Sequence, residues 1–455
     1  MYLKKYHIHF VGIGGIGMSG IAELLINLGY KVSGSDEKSS DITRRLKKLG
    51  GIIYKGHRKN QIGSSDVVVV SSAIDEINPE VTAAREMSIP VIPRAEMLAE
   101  LMRLKDSVAV AGAHGKTSTT SIIASVLEEG ALDPTVVIGG KLKSIGSNAL
   151  LGHGDFIVAE ADESDGSFLK MSPTIAVVTN IDREHLDFYK DLDDIKNAFL
   201  SFIDRVPFYG LAVLCLDNEP VQKLIPKIKK RHTTYGMSTQ ADFQAENVKF
   251  EGLKSFYSLK HNGDILGDIT LNLPGIHNVY NSMASIAVGM ELNIDFEVIK
   301  NALETVEGVQ RRLEVKGEIK GITVVDDYGH HPSEIKVTLQ AAKESWPGRR
   351  KVVVFQPHRY TRTKALFDEF TRSFYQSDVL VVLPVYAAGE KKIEGIGSDL
   401  MCEEIQAHGH SGVICKKSIK AAVSHLKNIL KPKDILLTLG AGDVWKVGEE
   451  ILKTK

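Results

Sequence analysis

Short apolar runs that alternate with helical stretches constrain the fold of this 455-residue chain more than any other feature. The first hundred residues contain the runs "HIHFVGIG", "KVSGSD", "DVVVVSSAI" and "IPVIPRAEML". A second series contains "SVAVAGAHGKTSTT", "FIVAEADESD", "TIAVVTNID" and "LAVLCLD", and a third contains "GITVVDDYG", "RKVVVFQP", "DVLVVLPVY" and "DILLTLGAG". Strands that are separated by helices are typical of parallel sheets. The pattern therefore predicts an α/β protein made of three consecutive units.

One hydrophobic core rarely serves a chain of this length, so each unit is predicted to be a domain. We expect a Rossmann-like domain over residues 1–105, a central domain with a P-loop and a mostly parallel sheet over 106–312, and a second Rossmann-like domain over 313–455. From about Gln240 to Leu273 the pattern changes, and the Asn-Gly turn in "KSFYSLKHNG" is typical of a hairpin. The central domain is therefore expected to carry a small antiparallel addition.

The composition argues against several classes of partner. The 56 basic and 57 acidic residues nearly balance, which gives no electrostatic case for binding nucleic acid or an anionic membrane surface. No apolar run is long enough to cross a bilayer and no cleavable signal is recognisable, so we expect a soluble intracellular protein. The three cysteines, Cys215, Cys402 and Cys415, form no CxxC pair, and we interpret them as unpaired apolar or surface residues.

The stretch "HFVGIGGIGMSG" includes the end of the first predicted strand and carries Gly12, Gly14 and Gly17 at the GxGxxG spacing. Apolar residues at helical spacing follow it, which indicates a strand, a tight turn and a helix. Glycine lets a diphosphate approach the backbone, and Asp36 ends the next strand, where a ribose hydroxyl would lie. The loop therefore indicates a diphosphate site, for a dinucleotide or for another nucleoside diphosphate. The alternative is an ordinary strand-to-helix turn.

A second glycine loop, "GAHGKTSTT", stands between the apolar strand "SVAVA" and a predicted helix. The backbone N–H groups of such a loop hold phosphates, the Lys116 ammonium would offset charge between the β and γ groups, and Thr117 could ligate Mg²⁺. The spacing is shorter than the usual GxxxxGK[ST], so the sequence predicts a variant P-loop. The alternative is a glycine-rich turn with an incidental lysine.

Two later strands end in hard oxygen ligands of the kind that Mg²⁺ prefers. The run "VAEADESD" supplies Glu160, Asp162, Glu163 and Asp165, and "VVTNIDREHLD" supplies Asn180, Asp182 and His185. Taken singly, a carboxylate here could be a solvated loop charge, and His185 could be a residue at a helix start. Because both strand ends belong to the unit with the P-loop, we expect some of these side chains to surround the nucleotide.

With these motifs the chain resembles the Mur ligase family over essentially its whole length. The matching segments, in the family's order, are "HFVGIGGIGMSGIAE", "VSGSD", "AHGKTSTT", "EADESD", "TNIDREHLD", "GIHNVYNSMA", "GVQRRLE", "DDYGHHPSE" and "FQPHRYTRT". The resemblance implies an ATP-dependent ligase that joins L-alanine to the carboxylate of UDP-N-acetylmuramate through an acyl phosphate, in peptidoglycan precursor synthesis. It also implies ATP and Mg²⁺, or Mn²⁺, as cofactors, and a cytoplasmic monomer or weak homodimer.

The same resemblance assigns the first glycine loop to the diphosphate of a UDP-sugar. The residues implied there are Gly14, Gly15, Ile16, Gly17, Ser35, Asp36 and Ser72. The amino-acid site would consist of Tyr328, His330, His358, Arg359 and Arg362. Arginine suits the carboxylate of an amino acid because it can form two parallel hydrogen bonds. The alternative for "HRYTRT" is an exposed basic face.

For ATP the resemblance implies residues from four motifs, "AHGKTSTT", "GIHNVYNSMA", "GVQRRLE" and "DDYGHHPSE". They are Gly112, Ala113, His114, Gly115, Lys116, Thr117, Ser118, His277, Asn278, Asn281, Arg312 and Asp327. Lys116, Glu160, His185 and Arg312 would be catalytic, with Arg312 reaching the γ-phosphate as the third domain closes, and Thr117, Glu160 and His185 would hold metal. Glu163 remains an alternative to Glu160, Arg311 to Arg312, and Asp326 to Asp327. Helix capping is the alternative for the asparagines.

Three other functions remain open at this point. A nicotinamide-dependent dehydrogenase would use the first glycine loop, but it leaves "AHGKTSTT" and the acidic strand ends without a role. A nucleotide-gated binding protein would use the P-loop without forming a bond. Within the family, a ligase that recycles a tripeptide onto the muramate is the nearest alternative, although its first loop departs from "GIGGIGMSG".

Overall fold

Three β-sheets organise the chain, and the computed structural model describes residues 6–71, 73–140, 148–185 and 188–453. By the contacts within it, the chain divides into two compact units, which are called the first and the second unit below. One consists of Met1–Asn247, Tyr257–Thr270 and Tyr280–Gly308, and the other of Val248–Phe256, Leu271–Val279 and Val309–Lys455.

The first sheet has five parallel strands in the order β3-β2-β1-β4-β5. They are β1 (His7–Val11), β2 (Lys31–Asp36), β3 (Ile52–Lys55), β4 (Val67–Val70) and β5 (Val91–Pro93). The connecting helices are α1 (Ile16–Asn27), α2 (Asp41–Lys48), α3 (Pro79–Glu86) and α4 (Arg94–Met102), with a 3₁₀ turn at Lys59–Gln61. The strand order reverses between β1 and β4, and ligands of such sheets bind beside the carboxyl ends of the strands at that point.

The second sheet has ten strands in the order β15-β14-β13-β12-β11-β10-β6-β9-β7-β8. They are β6 (Asp106–Ala111), β7 (Thr135–Val137), β8 (Ala149–Leu150), β9 (Phe156–Glu160), β10 (Ile175–Val178), β11 (Leu211–Cys215), β12 (His232–Gly236), β13 (Phe243–Glu251), β14 (Lys254–His261) and β15 (Asp264–Leu271). Its pairings from β12 through β9 to β7 are parallel, whereas β8 pairs antiparallel with β7. The predicted Asn-Gly turn joins β14 to β15, where both Asn262 and Gly263 have a positive φ, as a tight hairpin requires.

Five α-helices accompany this sheet. They are α5 (Lys116–Glu129), α6 (Leu192–Ile203), α7 (Glu219–Gln222), α8 (Ile276–Glu291) and α9 (Phe296–Thr305), with 3₁₀ turns at Ser167–Lys170 and Ile225–Lys227. The first unit has a hydrophobic core in which Leu24 of α1, Leu98 of α4 and Phe199 of α6 are buried.

The third sheet has six strands in the order β16-β17-β21-β18-β19-β20, parallel except for the edge strand β16. They are β16 (Glu314–Ile319), β17 (Ile322–Asp327), β18 (Lys351–Phe355), β19 (Val379–Val382), β20 (Val413–Cys415) and β21 (Ile435–Leu439). The helices are α10 (Pro332–Ser345), α11 (Tyr360–Ala365), α12 (Phe367–Thr371), α13 (Ser398–Ala407), α14 (Ile419–Ile429) and α15 (Trp445–Leu452). Buried side chains pack in two clusters, around Phe355 and around Val354, because successive residues of β18 point to opposite faces of the sheet.

These sheets confirm the predicted α/β class, with mostly parallel strands and a small antiparallel portion. The domain boundaries at residues 105 and 312 stay predictions. No helix within the described ranges combines the length and the apolar character that crossing a bilayer requires.

The interpretation of all three cysteines as unpaired is wrong. Cys402 of α13 and Cys415 of β20 form a disulfide, with Cα atoms 6.3 Å apart, whereas Cys215 is a buried free thiol. The disulfide forms because α13 packs beside β20. The separation of 13 residues between the two cysteines in the sequence does not by itself predict this contact. Burial raises the pKa of the Cys215 thiol to about 12, so this thiol stays protonated.

Candidate active site

The first glycine loop is held by the strand next to it. Gly12 has a φ of 81°, a left-handed conformation that glycine adopts without strain. The amides of Gly12 and Ile13 both donate to the Ser35 carbonyl, at 2.9 and 3.0 Å. The Gly14 amide donates to the Oδ2 atom of Asp36 at 2.9 Å. Asp36 therefore lies against the loop, as predicted, and its carboxylate engages an amide that the resemblance assigns to a diphosphate.

The Ser35 side chain points into the interior of the first unit. Its hydroxyl donates a short hydrogen bond to Glu80 and lies 2.8 Å from Nδ1 of His57. Burial would raise the pKa of Glu80, but the nearby His9 and the hydrogen bond from Ser35 outweigh it, so the pKa is lowered and the carboxylate stays charged. Ser35 thus supports the loop through its carbonyl. Ser72 and the side chain of Ile16 lie outside the described residues.

The P-loop depends on two glycines with positive φ. Gly112 has a φ of 139°, and a Cβ atom there would lie 2.0 Å from the hydroxyl of Thr179. Gly115 has a φ of 84°, and a Cβ atom there would lie 2.8 Å from Oδ1 of Asn281. The same Asn281 atom accepts a hydrogen bond from Thr119 of α5 at 3.0 Å. Larger residues at 112 and 115 are therefore excluded by both conformation and space.

Strand β10 supplies further support for the P-loop. The Asn180 side chain accepts from the His114 amide and donates to the His114 carbonyl, both at 2.9 Å. Nε2 of His114 lies 3.2 Å from an Asp182 carboxylate oxygen. The Ala113 amide donates to the Asn180 carbonyl at 3.2 Å. The loop from β6 to α5 is thus fixed by the end of a neighbouring parallel strand, as the sequence predicts.

Lys116 forms an ion pair with Glu163. Its ammonium lies 2.7 and 2.8 Å from the two carboxylate oxygens and 2.6 Å from the Gly112 carbonyl. Burial alone would lower the pKa of Lys116, but the carboxylates of Glu163 and Asp162 outweigh it and raise the pKa above its usual value. Burial would raise the pKa of Glu163, but Lys116 and His185 lower it. Both partners are therefore charged.

Two more side chains complete this cluster, His185 and Glu184. Nε2 of His185 lies 3.4 Å from Glu163 and 3.6 Å from Glu184. Ligand atoms of Glu163, Glu184 and His185 all lie within 4.8 Å of one another, so the three could hold one metal ion. His185 has a φ of 56°, which is uncommon outside glycine and often marks a functional site.

Glu160 lies elsewhere at the end of β9. Its Oε1 atom accepts a hydrogen bond from the Gly139 amide at 2.8 Å, and it is not part of the described groups that could hold a metal. Thr117 and Ser118 lie half-buried in the first turn of α5. The structure therefore brings together Lys116, His185 and Glu163, the alternative to Glu160.

The second unit contains the predicted arginines and aspartates. Arg311 donates to Asp326 at 2.9 Å and to the Gly440 carbonyl at 2.5 Å. Arg312 instead lies 3.5 Å from Glu334, with about a third of its side chain exposed. Arg311 is thus bound to the interior of its own unit, whereas Arg312 pairs with Glu334.

Asp327 and His277 are both shifted toward their neutral forms. Burial raises the pKa of Asp327 to about 6, although its carboxylate accepts hydrogen bonds from the amides of Leu313 and Gly329, both at 2.7 Å. Burial and the charge of Arg312 lower the pKa of His277 to about 4. The side-chain Nδ2 of Asn278 donates to the Pro274 carbonyl at 2.8 Å, which stabilises the start of α8.

Four of the five predicted amino-acid-binding residues form one group of side chains. The ring of His330 lies 5.4 Å from that of Tyr328 and 6.0 Å from that of His358, and Arg362 reaches within 3.5 Å of His358. Burial lowers the pKa of His330 to about 3 and that of His358 to about 4, so both rings are neutral near pH 7. Arg359, the fifth predicted residue, follows His358 in the sequence and has a φ of 68°.

Family profiles match nearly the whole chain. The Mur ligase family catalytic domain matches residues 7–106, the Mur ligase middle domain matches 110–289, and the Mur ligase glutamate ligase domain matches 311–442. The chain belongs to the Mur ligase family. A UDP-N-acetylmuramate–L-alanine ligase from Desulfatibacillum aliphaticivorans is 68% identical over 455 residues, which cover 100% of each chain.

Solved structures of other Mur ligases share this fold. A UDP-N-acetylmuramate–alanine ligase from Thermotoga maritima has a TM-score of 0.83 and 29% identity, with 98% of each chain covered. A MurF ligase from Thermotoga maritima, solved in complex with ADP, has a TM-score of 0.63 and 18% identity, with 93% of each chain covered. The second similarity shows the fold alone.

Several residues outside the predicted set lie beside the candidate site residues. Arg94 lies beside Gly17 of the first glycine loop, and Glu184 joins the cluster at Lys116. In the second unit, the Tyr386 ring stacks on His358 with centroids 5.5 Å apart and planes 8° apart. Arg94 follows β5 directly, and the carboxyl end of a parallel strand is a signal that could have identified it.

Proposed function

We propose that this Mur ligase joins L-alanine to the carboxylate of UDP-N-acetylmuramate and consumes ATP, giving ADP and phosphate. The observation that carries the proposal is that one carboxylate, Glu163 from the loop after β9, contacts both the P-loop lysine and His185 from the segment after β10. The full-length similarity to alanine ligases at 68% identity supports the choice of substrates. The first glycine loop then serves a uridine diphosphate, and a nicotinamide is not required.

The chemistry needs an activated carboxylate, because a free carboxylate is a poor electrophile. Phosphorylation of the muramoyl carboxylate gives an acyl phosphate, which the alanine amine attacks; the tetrahedral intermediate then loses phosphate and leaves the amide. Lys116 would stabilise charge on the transferred phosphoryl group from a position fixed in advance by the Gly112 carbonyl and Glu163. Arg312 would add a second positive charge at the γ-phosphate.

The residues at the P-loop fit a divalent cation. The carboxylates of Glu163 and Glu184 are hard ligands that suit Mg²⁺ or Mn²⁺, and His185 can add a nitrogen. We propose that these residues and Thr117 hold the metal, with Glu160 as the alternative to Glu163. When bound, the cation neutralises phosphate charge and brings the acceptor carboxylate near the nucleotide.

Two arginines and two neutral histidines of the second unit would bind alanine. His330 and His358 are held neutral, so they add no repulsion to the alanine ammonium group. Arg359 and Arg362 would bind the alanine carboxylate, and Tyr328 and Tyr386 would border the site. His277, Asn278 and Asn281 would contact the adenine or the phosphate region of ATP, and Asp327, or Asp326, its ribose. We propose a cytoplasmic enzyme, monomeric or weakly dimeric.

The decisive test is phosphate release by the purified full-length chain with ATP, Mg²⁺ and UDP-N-acetylmuramate. L-alanine, glycine, L-serine and the tripeptide L-alanyl-γ-D-glutamyl-meso-diaminopimelate are added separately, and the product is identified by mass. We expect turnover to be highest with L-alanine. Preference for the tripeptide would identify a recycling ligase instead, and absence of phosphate release with every acceptor would favour a binding protein.

A further inference from the structure

Arg94 occupies the space next to the first glycine loop. A Cβ atom at Gly17 would lie 3.0 Å from Nη1 of Arg94 and 3.3 Å from its Cζ atom. Glycine at position 17 therefore leaves room for the guanidinium at the start of α1. Among the described residues no side chain caps α1, and the first turn of this helix contains no acidic residue. A cation and an uncapped helix start thus lie together, which favours an anion between them.

The backbone around Arg94 holds the side chain in this position. Arg94 is the first residue of α4 and follows Pro93, whose ring restricts the chain at the end of β5. Leu98 and Leu101 of α4 are buried in the same core as Leu24 of α1. The guanidinium is therefore carried by a packed helix that is fixed relative to the glycine loop.

The counter-ion of Arg94 is Asp162, and the pair is loose. Nη2 of Arg94 lies 3.3 Å from Oδ2 of Asp162, longer than a well-formed charge-assisted hydrogen bond. Their side chains are 28% and 41% exposed, so water screens the attraction. The other oxygen of Asp162 accepts from the Ser164 amide at 3.1 Å, which holds the carboxylate when Arg94 leaves. A multiply charged anion could therefore displace Asp162 from Arg94.

A cavity opens beside this ion pair. It has a volume of about 500 Å³, and its lining includes Arg94, Asp162, Ser71 and Ser164. Ser71 follows β4, on the other side of the strand-order reversal from the glycine loop. The cavity thus extends from the end of β4 to the acidic segment after β9, with Arg94 on its lining.

We propose that Arg94 binds the diphosphate of the UDP-sugar and that Asp162 competes with the diphosphate for Arg94. The inference rests on the proposed binding of a UDP-sugar at the glycine loop. In the free enzyme Arg94 pairs with Asp162; in the complex it pairs with phosphate oxygens, which it can contact through two N–H groups at once. Arg94 is then a substrate-binding residue, and Asp162 sets how tightly the diphosphate is held.

The test measures binding of UDP and of uridine to the full-length chain by calorimetry, without ATP. We expect Arg94→Gln to weaken UDP binding by about tenfold or more and to leave uridine binding unchanged, because only UDP carries the phosphates. Arg94→Lys should retain part of the affinity. Arg103→Gln is the matched control, because Arg103 follows the same helix and pairs with exposed Glu100. Thermal melting checks that each variant is folded.

A double-mutant cycle tests the competition. Asp162→Asn should tighten UDP binding where Arg94 is present and have a smaller effect in the Arg94→Gln background. Equal effects in both backgrounds would overturn the competition.

If Gly14→Val weakens UDP binding and Arg94→Gln does not, Arg94 does not bind the diphosphate. If neither variant weakens UDP binding, the diphosphate does not bind at the glycine loop, and the proposed UDP-sugar site there is wrong. An equal loss for UDP and uridine in Arg94→Gln would overturn the phosphate contact.

Discussion

The Lys116 ammonium lies within 2.8 Å of both carboxylate oxygens of Glu163, so the P-loop lysine is paired with an acidic residue from the loop after β9. This ion pair keeps a buried cation charged and in place. The pair costs less to maintain than an isolated buried charge would, because each partner compensates the desolvation of the other.

The first prediction concerns Lys116 itself. Lys116→Ala should lower turnover by at least about two orders of magnitude, because it removes a preorganised group that stabilises transition-state charge. The measurement is initial-rate phosphate release at saturating substrates. Lys223→Ala is the control, since Lys223 is an exposed lysine of the same unit that pairs with Glu219. Near-normal turnover of Lys116→Ala would contradict the P-loop assignment.

The second prediction separates the two candidate metal ligands. Glu163→Gln should raise the Mg²⁺ concentration needed for half-maximal rate by about tenfold, since a neutral amide is a weaker ligand than a carboxylate. Glu160→Gln should have little effect, because Glu160 bonds to the Gly139 amide instead of joining the cluster. A titration of rate against Mg²⁺ distinguishes them, and a larger shift in Glu160→Gln would assign the metal to Glu160.

Much of this site could be predicted because parallel strands end at one edge of a sheet. That rule placed the P-loop lysine near residues that follow β9 and β10, and the structure brings Lys116, Glu163 and His185 together. It could not choose between Glu160 and Glu163. Glu160 is the last residue of β9, whereas Glu163 lies in the loop beyond it, and the turn of that loop decides which carboxylate faces the lysine.

Other features depend on contacts between segments that are distant in sequence. The Cys402–Cys415 disulfide and the stacking of Tyr386 on His358 arise when separate elements pack, and neither leaves a periodic signal. The fold class could be predicted from the sequence, because it follows from repeated strand-helix alternation, which is a local pattern.

The third prediction concerns the first glycine loop. A Cβ atom at Gly14 would lie 2.8 Å from Oδ2 of Asp36, so Gly14→Val must displace the carboxylate that holds the loop. The Michaelis constant for the UDP-sugar should rise far more than that for ATP. Gly397→Val is the control, because a Cβ atom there would meet no atom of the described residues within 4 Å. Equal effects on both substrates would indicate general misfolding instead.

The fourth prediction is a loss of stability in acid. Burial lowers the pKa of His330 to about 3 and of His358 to about 4, whereas the same side chains titrate near 6.5 when unfolded. Below pH 6.5 the unfolded chain binds more protons, so the free energy of unfolding should fall with pH, by up to about 1.4 kcal/mol per pH unit for each histidine. Their contribution is complete above pH 6.5 and is lost as pH falls toward 4 and 3.

Urea unfolding followed by tryptophan fluorescence measures this effect. Both tryptophans of the chain, Trp346 and Trp445, belong to the second unit, so their signal reports on the unit that contains these histidines. Asp327, with its pKa raised to about 6, contributes with the opposite sign, because it favours the folded state as pH falls. His330→Gln should therefore be compared with the unmodified chain at pH 7 and pH 5. If the two chains lose the same free energy of unfolding between pH 7 and pH 5, His330 is not buried in its neutral form.

The last prediction concerns Arg359 and Arg362, which follow β18; Arg362 contacts His358, and Arg359 is the next residue after His358 in the sequence. If they hold the alanine carboxylate, each charge-assisted pair contributes about 1.5–3 kcal/mol, roughly ten- to a hundredfold in apparent affinity. The alanine concentration for half-maximal rate should rise in Arg362→Ala by that factor, while ATP and UDP-N-acetylmuramate binding persist. Arg362→Lys should restore only part of the affinity, because a point charge lacks the planar pair of donors.

Arg359 needs a different substitution because of its backbone. Its φ of 68° is left-handed, which asparagine tolerates better than alanine does, so Arg359→Asn removes the charge with less strain. Arg372→Ala is the control for both positions, because Arg372 is exposed and pairs with Asp368 in the same unit. Initial rates are measured with alanine varied and both other substrates saturating. If either variant keeps its alanine dependence and loses ATP binding, that arginine belongs to the phosphate site, because a carboxylate ligand would have changed the response to alanine alone.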